Sequence, residues 1–465
     1  ASNAGTIIGG AGAAGTIGGI GGTGFAAVGG AVLSNTGTIT GGAGGSGTTV
    51  GSGFTGVYLY GGGTLINGGT VNGGLNGAGT LRADAVYMQG SGNLVLVDPG
   101  AVFNGLVFAQ AGYTNTLEVG GTSTLSLAGI GTEFDNFTNL SFATGAQRTI
   151  EGGTVGLTSA ETIAGFAAHD VIILDSFAVS AVSAIAGEEL KLTAGAKTAT
   201  LDLTGTLAGN LLVAKSGTGT VITAEAAGTK TTLATGAFEI VTSGGVAGGS
   251  VINSGGTMEV YAKGNATSAT VHAGGKLLVS SGGTETSGTI AGGTLDIAGG
   301  GIASGPFNFT GSGGTLVIEG AAIPTDMISG FVAGDTIKLS AVPYSASDTV
   351  KVASAGIVTV TAGAKTYQLH IAGATVGETD FHFGSGSLLT TTKTQAVKSM
   401  AFVRPAATML GGSAMPAVHR ETFAMQTVKS EPFLTMSAEL PASADLLRVA
   451  HGGTQMTLAV GHWWR

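Results

Sequence analysis

Along most of the chain, Val, Ile, Leu and Ala alternate with Thr and Ser in short runs, and Gly and Asn separate the runs. A period of two marks a half-buried strand, and Gly and Asn are turn residues. The pattern predicts many short strands, and it repeats. Val251-Ile252-Asn253-Ser254-Gly255-Gly256, Val271-His272-Ala273-Gly274-Gly275 and Ile290-Ala291-Gly292-Gly293 begin 20 and then 19 residues apart. Met258-Glu259-Val260, Leu277-Leu278-Val279 and Leu295-Asp296-Ile297 follow them in turn. A looser cassette, Asn3-Ala4-Gly5-Thr6-Ile7-Ile8-Gly9-Gly10, returns at Asn35-Thr36-Gly37-Thr38-Ile39-Thr40-Gly41-Gly42 and again at Asn67 to Gly74.

One such unit cannot bury its apolar side chains alone, but stacked units can, each coil pairing its backbone with the coils above and below. The expectation is an all-β chain forming an elongated parallel β-helix (β-solenoid), with about 20 residues per coil throughout. Inward Val, Ile and Leu make the core, and recurring Asn and Thr stack in ladders at the corners. A longer duplication is superimposed. Ile163 to Leu174 matches Ile328 to Leu339, and Thr193-Ala194-Gly195-Ala196-Lys197-Thr198 recurs identically from Thr361 to Thr366. In each copy Gly-Phe-x-x-x-Asp reads as a turn whose Phe caps a core layer.

Composition sharpens this picture. Glycine supplies 87 of 465 residues, about 19 per cent against a usual level near 7 per cent, which disfavours helix. Charged residues are only 10% and hydrophobic residues 43%, so a core can form. Eight prolines and no strict three-residue glycine period exclude collagen. The absence of cysteine excludes disulfides, thiolate metal sites and a cysteine nucleophile. A net charge of −9 argues against nucleic acid as a partner. No apolar run is long enough for a membrane-spanning helix. The chain begins at Ala1 with no targeting segment, so it is expected to be a mature or trimmed product.

The expected organisation is Gly-rich solenoid repeats at 1–150, the first duplicated unit at 151–236, repeats of about 20 residues at 237–313, the second unit at 314–392, and a non-repetitive tail at 393–465. The tail holds 5 glycines but 6 of the 9 methionines and both tryptophans. Its 7 basic and 4 acidic residues give +3, against 11 and 23, or −12, for the 392 residues before it.

These motifs resemble the passenger regions of bacterial autotransporter-type surface proteins. The stretch 251–300 is similar to the AIDA-type adhesin repeats. Val97 to Gly105, the Asn-x-Gly-Thr-Ile-x-Gly-Gly cassettes, and the Gly165-Phe166 and Gly330-Phe331 elements resemble segments of the same class; His169 replaces the glycine expected in the first element. The resemblance implies a secreted or outer-cell-surface protein of a Gram-negative bacterium, with Ser/Thr O-glycosylation. Such proteins end in a membrane barrel. The tail is too short for one, so the barrel is expected to have been removed or never to have existed.

Candidate chemistry is sparse. Gly10-Ala11-Gly12-Ala13-Ala14-Gly15 fits a dinucleotide-binding pattern, but in so glycine-rich a chain the match is expected by chance. Residues 1–147 contain Arg82 as their one basic residue, and Asp84, Asp98, Glu118, Glu133 and Asp135 as acids. Glu133 and Asp135 could share a strand face, but a solvated edge pair is the plainer reading. Asp170 and Asp335 fit turn-fixing acids better than a calcium site, since a lone acid makes a poor cage. The histidines, including His419, His451 and His462, have no metal-ligand spacing. Asn136, Asn265 and Asn308 open sequons that are mostly coincidence here. No cofactor, metal or catalytic residue is expected.

The tail offers adaptable apolar anchors at Met400, Phe402, Met409, Phe423, Phe433, Trp463 and Trp464. Two readings stand. It caps the last coil, or it docks on a neighbouring copy. The expected function is non-enzymatic: adhesion, aggregation or matrix building through multivalent repeat faces and self-association. The expected partners are copies of itself and surface glycans or proteins. The alternatives are a filament or surface-layer subunit assembled head to tail, and a β-helix carbohydrate-active enzyme.

Overall fold

A computed structural model describes residues 1–158, 162–184, 189–204, 209–320, 324–394, 447–451 and 454–458. The chain divides into two compact units, Ala1–Gln395 and Ala396–Arg465. In the second, an antiparallel hairpin joins Leu447–His451 to Thr454–Leu458.

The first unit is a β-solenoid. Ser2–Asn3, Val32–Asn35, Thr64–Asn67, Leu94–Val97, Thr116–Val119, Asn139–Phe142 and Thr162–Ala164 stack in parallel, each one coil beyond the last. Their inward residues form one row of Leu33, Leu65, Val95, Leu117, Leu140 and Ile163, all nearly inaccessible. Each such side chain contributes about 1.5–3 kcal/mol by leaving water. In the later coils Met258, Leu277, Leu295, Leu316 and Ile337 form the equivalent row.

The coil length is not uniform, which corrects the 20-residue expectation. Ser2 pairs with Ser34 and Val32 with Thr64, so the first coils advance by 32 residues. Leu94 pairs with Thr116, an advance of 22. Phe238 pairs with Thr257, Thr257 with Lys276 and Lys276 with Thr294, advances of 19, 19 and 18. The cassettes at Asn3, Asn35 and Asn67 mark whole 32-residue coils.

The extra length is a glycine layer. The N–H groups of Gly9, Gly12, Gly15, Gly18, Gly21 and Gly24 donate to the carbonyls of Thr40, Ala43, Ser46, Thr49, Ser52 and Thr55 in the next coil, at 2.7–3.2 Å. A bond every third residue is the period of a polyproline-II-type helix, which has no internal hydrogen bonds to spend. A Cβ at Gly18 would collide with the Gly45 carbonyl oxygen, and one at Gly45 with that of Ala13. Glycine does occur at every third position from 9 to 24, a local period that the exclusion of collagen had passed over. The same packing accounts for Gly12 and Gly15 of the dinucleotide-like motif.

An asparagine ladder runs beside it. Asn3 Nδ2 donates to Asn35 Oδ1, and Asn35 Nδ2 to Asn67 Oδ1, each at 2.8 Å. Val97 takes the next position in the row.

The duplicated segments interrupt the otherwise parallel winding. Val171–Asp175, Gly219–Glu225, Asn210–Ser216 and Ala237–Val241 pair successively antiparallel before parallel coils resume at Thr257–Val260. Ala181–Ala184, Glu189–Ala194 and Lys197–Asp202 form an antiparallel side sheet. Thr349–Ser354, Ile357–Ala362 and Lys365–Ile371 form its counterpart in the second copy. Gly165 and Gly330 both have φ of 71°, and the buried Phe166 and Phe331 pack on Phe142 and Phe309, each at 5.3 Å between ring centres.

Candidate functional site

The geometry places the chemistry of this chain on the outer faces of its coils, because parallel register converts each repeated position into a straight row. In the coils from 257 to 336, one outward row reads Thr257, Lys276, Thr294, Thr315 and Thr336. A second face carries Thr267, Thr286 and Ser304, and a third carries Thr270, Thr289, Asn308 and Ser329. All these side chains are at least partly exposed. Neighbouring rungs hydrogen-bond along the rows: Thr286 and Ser304 hydroxyls lie 3.3 Å apart, and Ser329 donates to Asn308 Oδ1 at 3.0 Å. Lys276 and Asp296 form an ion pair at 3.4 Å between adjacent coils.

The coils around Val57 to Ala109, which advance by 29 and then 21 residues, present a different surface. Val57–Tyr60, Val86–Gln89 and Val107–Ala109 pair in register, which aligns Tyr58, Tyr87 and Phe108 in one outward column. The rings stack with centres 6.0 and 5.8 Å apart, and Tyr60 stacks beside Tyr58 at 6.4 Å. The Tyr58 hydroxyl donates to Gln89 Oε1. Burial, then the neighbouring phenols Tyr60 and Tyr87, push the Tyr58 hydroxyl above its ordinary pKa, so it remains a donor at neutral pH. Sequence reasoning missed this column. Its signal was an aromatic recurring at one phase of successive coils, visible only once the register is known.

Two buried carboxyls were missed as well. Glu285 takes an inward position between Ala266 and Ala303, in a row that begins at Ala247. It is inaccessible to solvent, and its Oε2 has no hydrogen-bond partner. Burial raises its pKa to about 8, against one lowering contact from the Ala269 N–H. Glu239 is equally buried. Asn210 Nδ2 donates to its Oε1 at 3.2 Å, and the Thr231 hydroxyl donates to its Oε2. Burial lifts its pKa to about 7, and hydrogen bonds from Thr231, Ser250 and Asn210 partly offset this. Neither group can reach a substrate, so neither suits acid–base catalysis.

The acids singled out from sequence serve structure. Asp170 accepts the N–H groups of Arg148 and Ala167 at 3.0 and 3.1 Å, and Asp335 those of Gly314 and Val332 at 2.9 and 3.0 Å. Each carboxylate pins its own turn to the preceding coil, as an Asx-type corner does. Burial raises the Asp170 pKa, against the lowering effect of the two N–H donors and Arg148. Glu133 is exposed and Asp135 partly so, with Asp135 accepting from the Asn136 N–H. A depression lined by Ile8, Gly9, Thr40, Asn72, Leu75 and Arg82 contains one ionisable side chain and no acid–base pair. Among the described residues, no three His, Asp or Glu side chains are grouped to hold a metal, and no helix is long and apolar enough to cross a membrane. Met400, Phe402, Met409, Phe423, Phe433, Trp463 and Trp464 lie outside the described residues.

No family model matches the chain, and no curated protein matches it. Among solved structures, it is similar to a TibC-catalysed, hyper-glycosylated fragment of TibA, at 18% sequence identity and a TM-score of 0.22, over 66% of this chain and 88% of that one.

Proposed function

We propose that this chain is a secreted or cell-surface bacterial protein of structural and adhesive function, working through multivalent contacts of its coil faces and through self-association. One observation carries the reading: polar side chains recur in register on three faces of the 257–336 coils. A single hydroxyl contact is weak, but a row at the coil spacing of about 4.8 Å presents many at once to a partner with a matching repeat. Among the described residues no catalytic constellation competes for this role. The self-association is between copies, the tail anchors Trp463 and Trp464 contributing alongside the coil faces, and its product is an aggregate or matrix outside a Gram-negative cell.

The test is aggregation of beads coated with the full chain. Thr257→Lys, Thr294→Lys and Thr315→Lys together should abolish it while leaving the far-ultraviolet circular dichroism unchanged. Aggregation that survives these charges removes this face from the reading. Trp463→Ala with Trp464→Ala should leave bead contacts in place but shorten any fibres seen by electron microscopy. Fibres of unchanged length would dismiss the tail as a coupler.

A further inference from the structure

We infer that the aromatic column Tyr58, Tyr87 and Phe108 is a binding stripe for an uncharged polysaccharide lying along the coil stack. The inference rests on the reading of the outer faces as contact surfaces, and it names the ligand class for one of them.

Four observations converge. First, Tyr58, Tyr87 and Phe108 form a continuous run of rings, and Tyr60, 47% exposed, widens it. Across successive rungs the centre separations of 6.0 and 5.8 Å exceed the rung spacing of about 4.8 Å, so the rings are offset from one another. Tyr58, Tyr87 and Phe108 are each partly exposed. The C–H bonds on one side of a sugar ring carry slight positive charge and suit such a face.

Second, polar groups flank the rings. The second outward row reads Val28, Tyr60 and Gln89 across paired strands, and Gln110 follows as its N–H bonds to the Met88 carbonyl. Gln89 spends its Oε1 on Tyr58, and its NH2 group has no partner among the described residues. Asp135 pairs with Phe108 and ends the aromatic column with an acceptor.

Third, the charge selects against polyanions. Arg82 is the single Lys or Arg among residues 1–147, and its guanidinium already donates to the Gly73 carbonyl at 2.7 Å. Five acids share the same region. Phosphorylated or sulfated chains would find no counter-charge here. Fourth, the stripe lies on an open sheet face. An extended polymer can gather contacts along it, whereas a small ligand would need a cavity to bury its surface. Cross-strand ring pairs add about 0.2–1 kcal/mol each to a sheet, which accounts for the stacking but not for the unpaired Gln89 NH2 group.

Isothermal titration of the full chain with chitohexaose, cellohexaose and maltohexaose, with heparin as the polyanion, tests this. At least one neutral hexasaccharide should bind saturably, and heparin should not. Tyr87→Ala with Phe108→Ala should weaken binding roughly tenfold or more, equivalent to about 1.4 kcal/mol. Tyr87→Leu, which keeps an apolar outer surface without a ring, should weaken it similarly with little change in melting temperature. Lys365→Ala, in the second side sheet, should leave it unchanged. Absence of saturable binding by every neutral hexasaccharide overturns the inference. So does binding that Tyr87→Leu leaves intact. Self-association lost in Tyr87→Leu without sugar binding would assign the stripe to a second copy, also against the inference. Bead aggregation through the 257–336 rows reads the broader proposal separately.

Discussion

The 29–32-residue coils before about residue 90 and the 18–21-residue coils after Ala237 solve one packing problem in two ways. Both bury rows of Leu, Ile and Val and pair their backbones in parallel. The long coils add a glycine layer whose backbones touch directly, and a ladder of buried amides. Asn3, Asn35 and Asn67 each meet an identical amide in a neighbouring coil. The short coils carry turns in place of the layer and place two carboxyls inside. The contrast shows that exact repetition lets polar groups satisfy one another, whereas a single polar departure from the repeat is left to find its own partners.

The largest expected effect separates the regions by pH. Glu239 and Glu285 ionise near 4.5 when exposed, but only near 7 and 8 when folded. Between these values the native state holds more protons than the unfolded state, so stability falls as pH rises. The stabilisation is complete below about pH 4.5. By pH 8.5 the loss reaches as much as about 3 kcal/mol for Glu239 and about 5 kcal/mol for Glu285, at 1.36 kcal/mol per pKa unit. Hydrogen exchange read by mass spectrometry should show the 237–320 coils loosening from pH 5 to 8.5 while residues 1–113, which bury no acid fully, change little. Glu285→Ala, which extends the alanine row, should flatten this dependence. A uniform response along the solenoid would erase the distinction.

Next in size is the glycine layer. Gly45→Val forces a side chain into the Ala13 carbonyl and should cost about 3 kcal/mol or more in urea unfolding. Gly363→Asn, at a φ of 59° with open space around it, should stay within about 1 kcal/mol of the parent. Equal costs would mean that glycine acts in both regions through turns alone.

Breaking the ladder comes third. Asn35→Leu removes the partner of Asn3 Nδ2 and of Asn67 Oδ1 and should cost about 2 kcal/mol in the same measurement. The smallest effect compares the duplicated turns. His169 holds a φ of 79° where the second copy has Gly334 at 97°. His169→Gly relieves backbone strain but frees the unfolded chain, so the melting temperature should rise by a gain of under about 1 kcal/mol.

Much of this was legible. The alternation around Thr284-Glu285-Thr286 even gives the inward phase of Glu285, because both threonines face out. A Glu between threonines nevertheless reads as a surface residue until its register with Ala266 and Ala303 is known. The spacing of Asn3, Asn35 and Asn67 already contained the 32-residue coil, but a shorter repeat elsewhere was extended over it. The antiparallel hairpins were hidden because strand direction leaves no mark on a two-residue period.

By itself the sequence determined that short strands would stack as coils, since alternation and repetition are local and each coil needs its neighbours to bury its apolar side. It also determined the tight turns, through Gly165, Gly330 and the acids that pin them. Tertiary structure alone decided how many residues each coil spends, which strands reverse, and which side chains from distant coils share a row. Those outcomes depend on register between segments some 20 to 32 residues apart, and register is set by the summed fit of all the rungs.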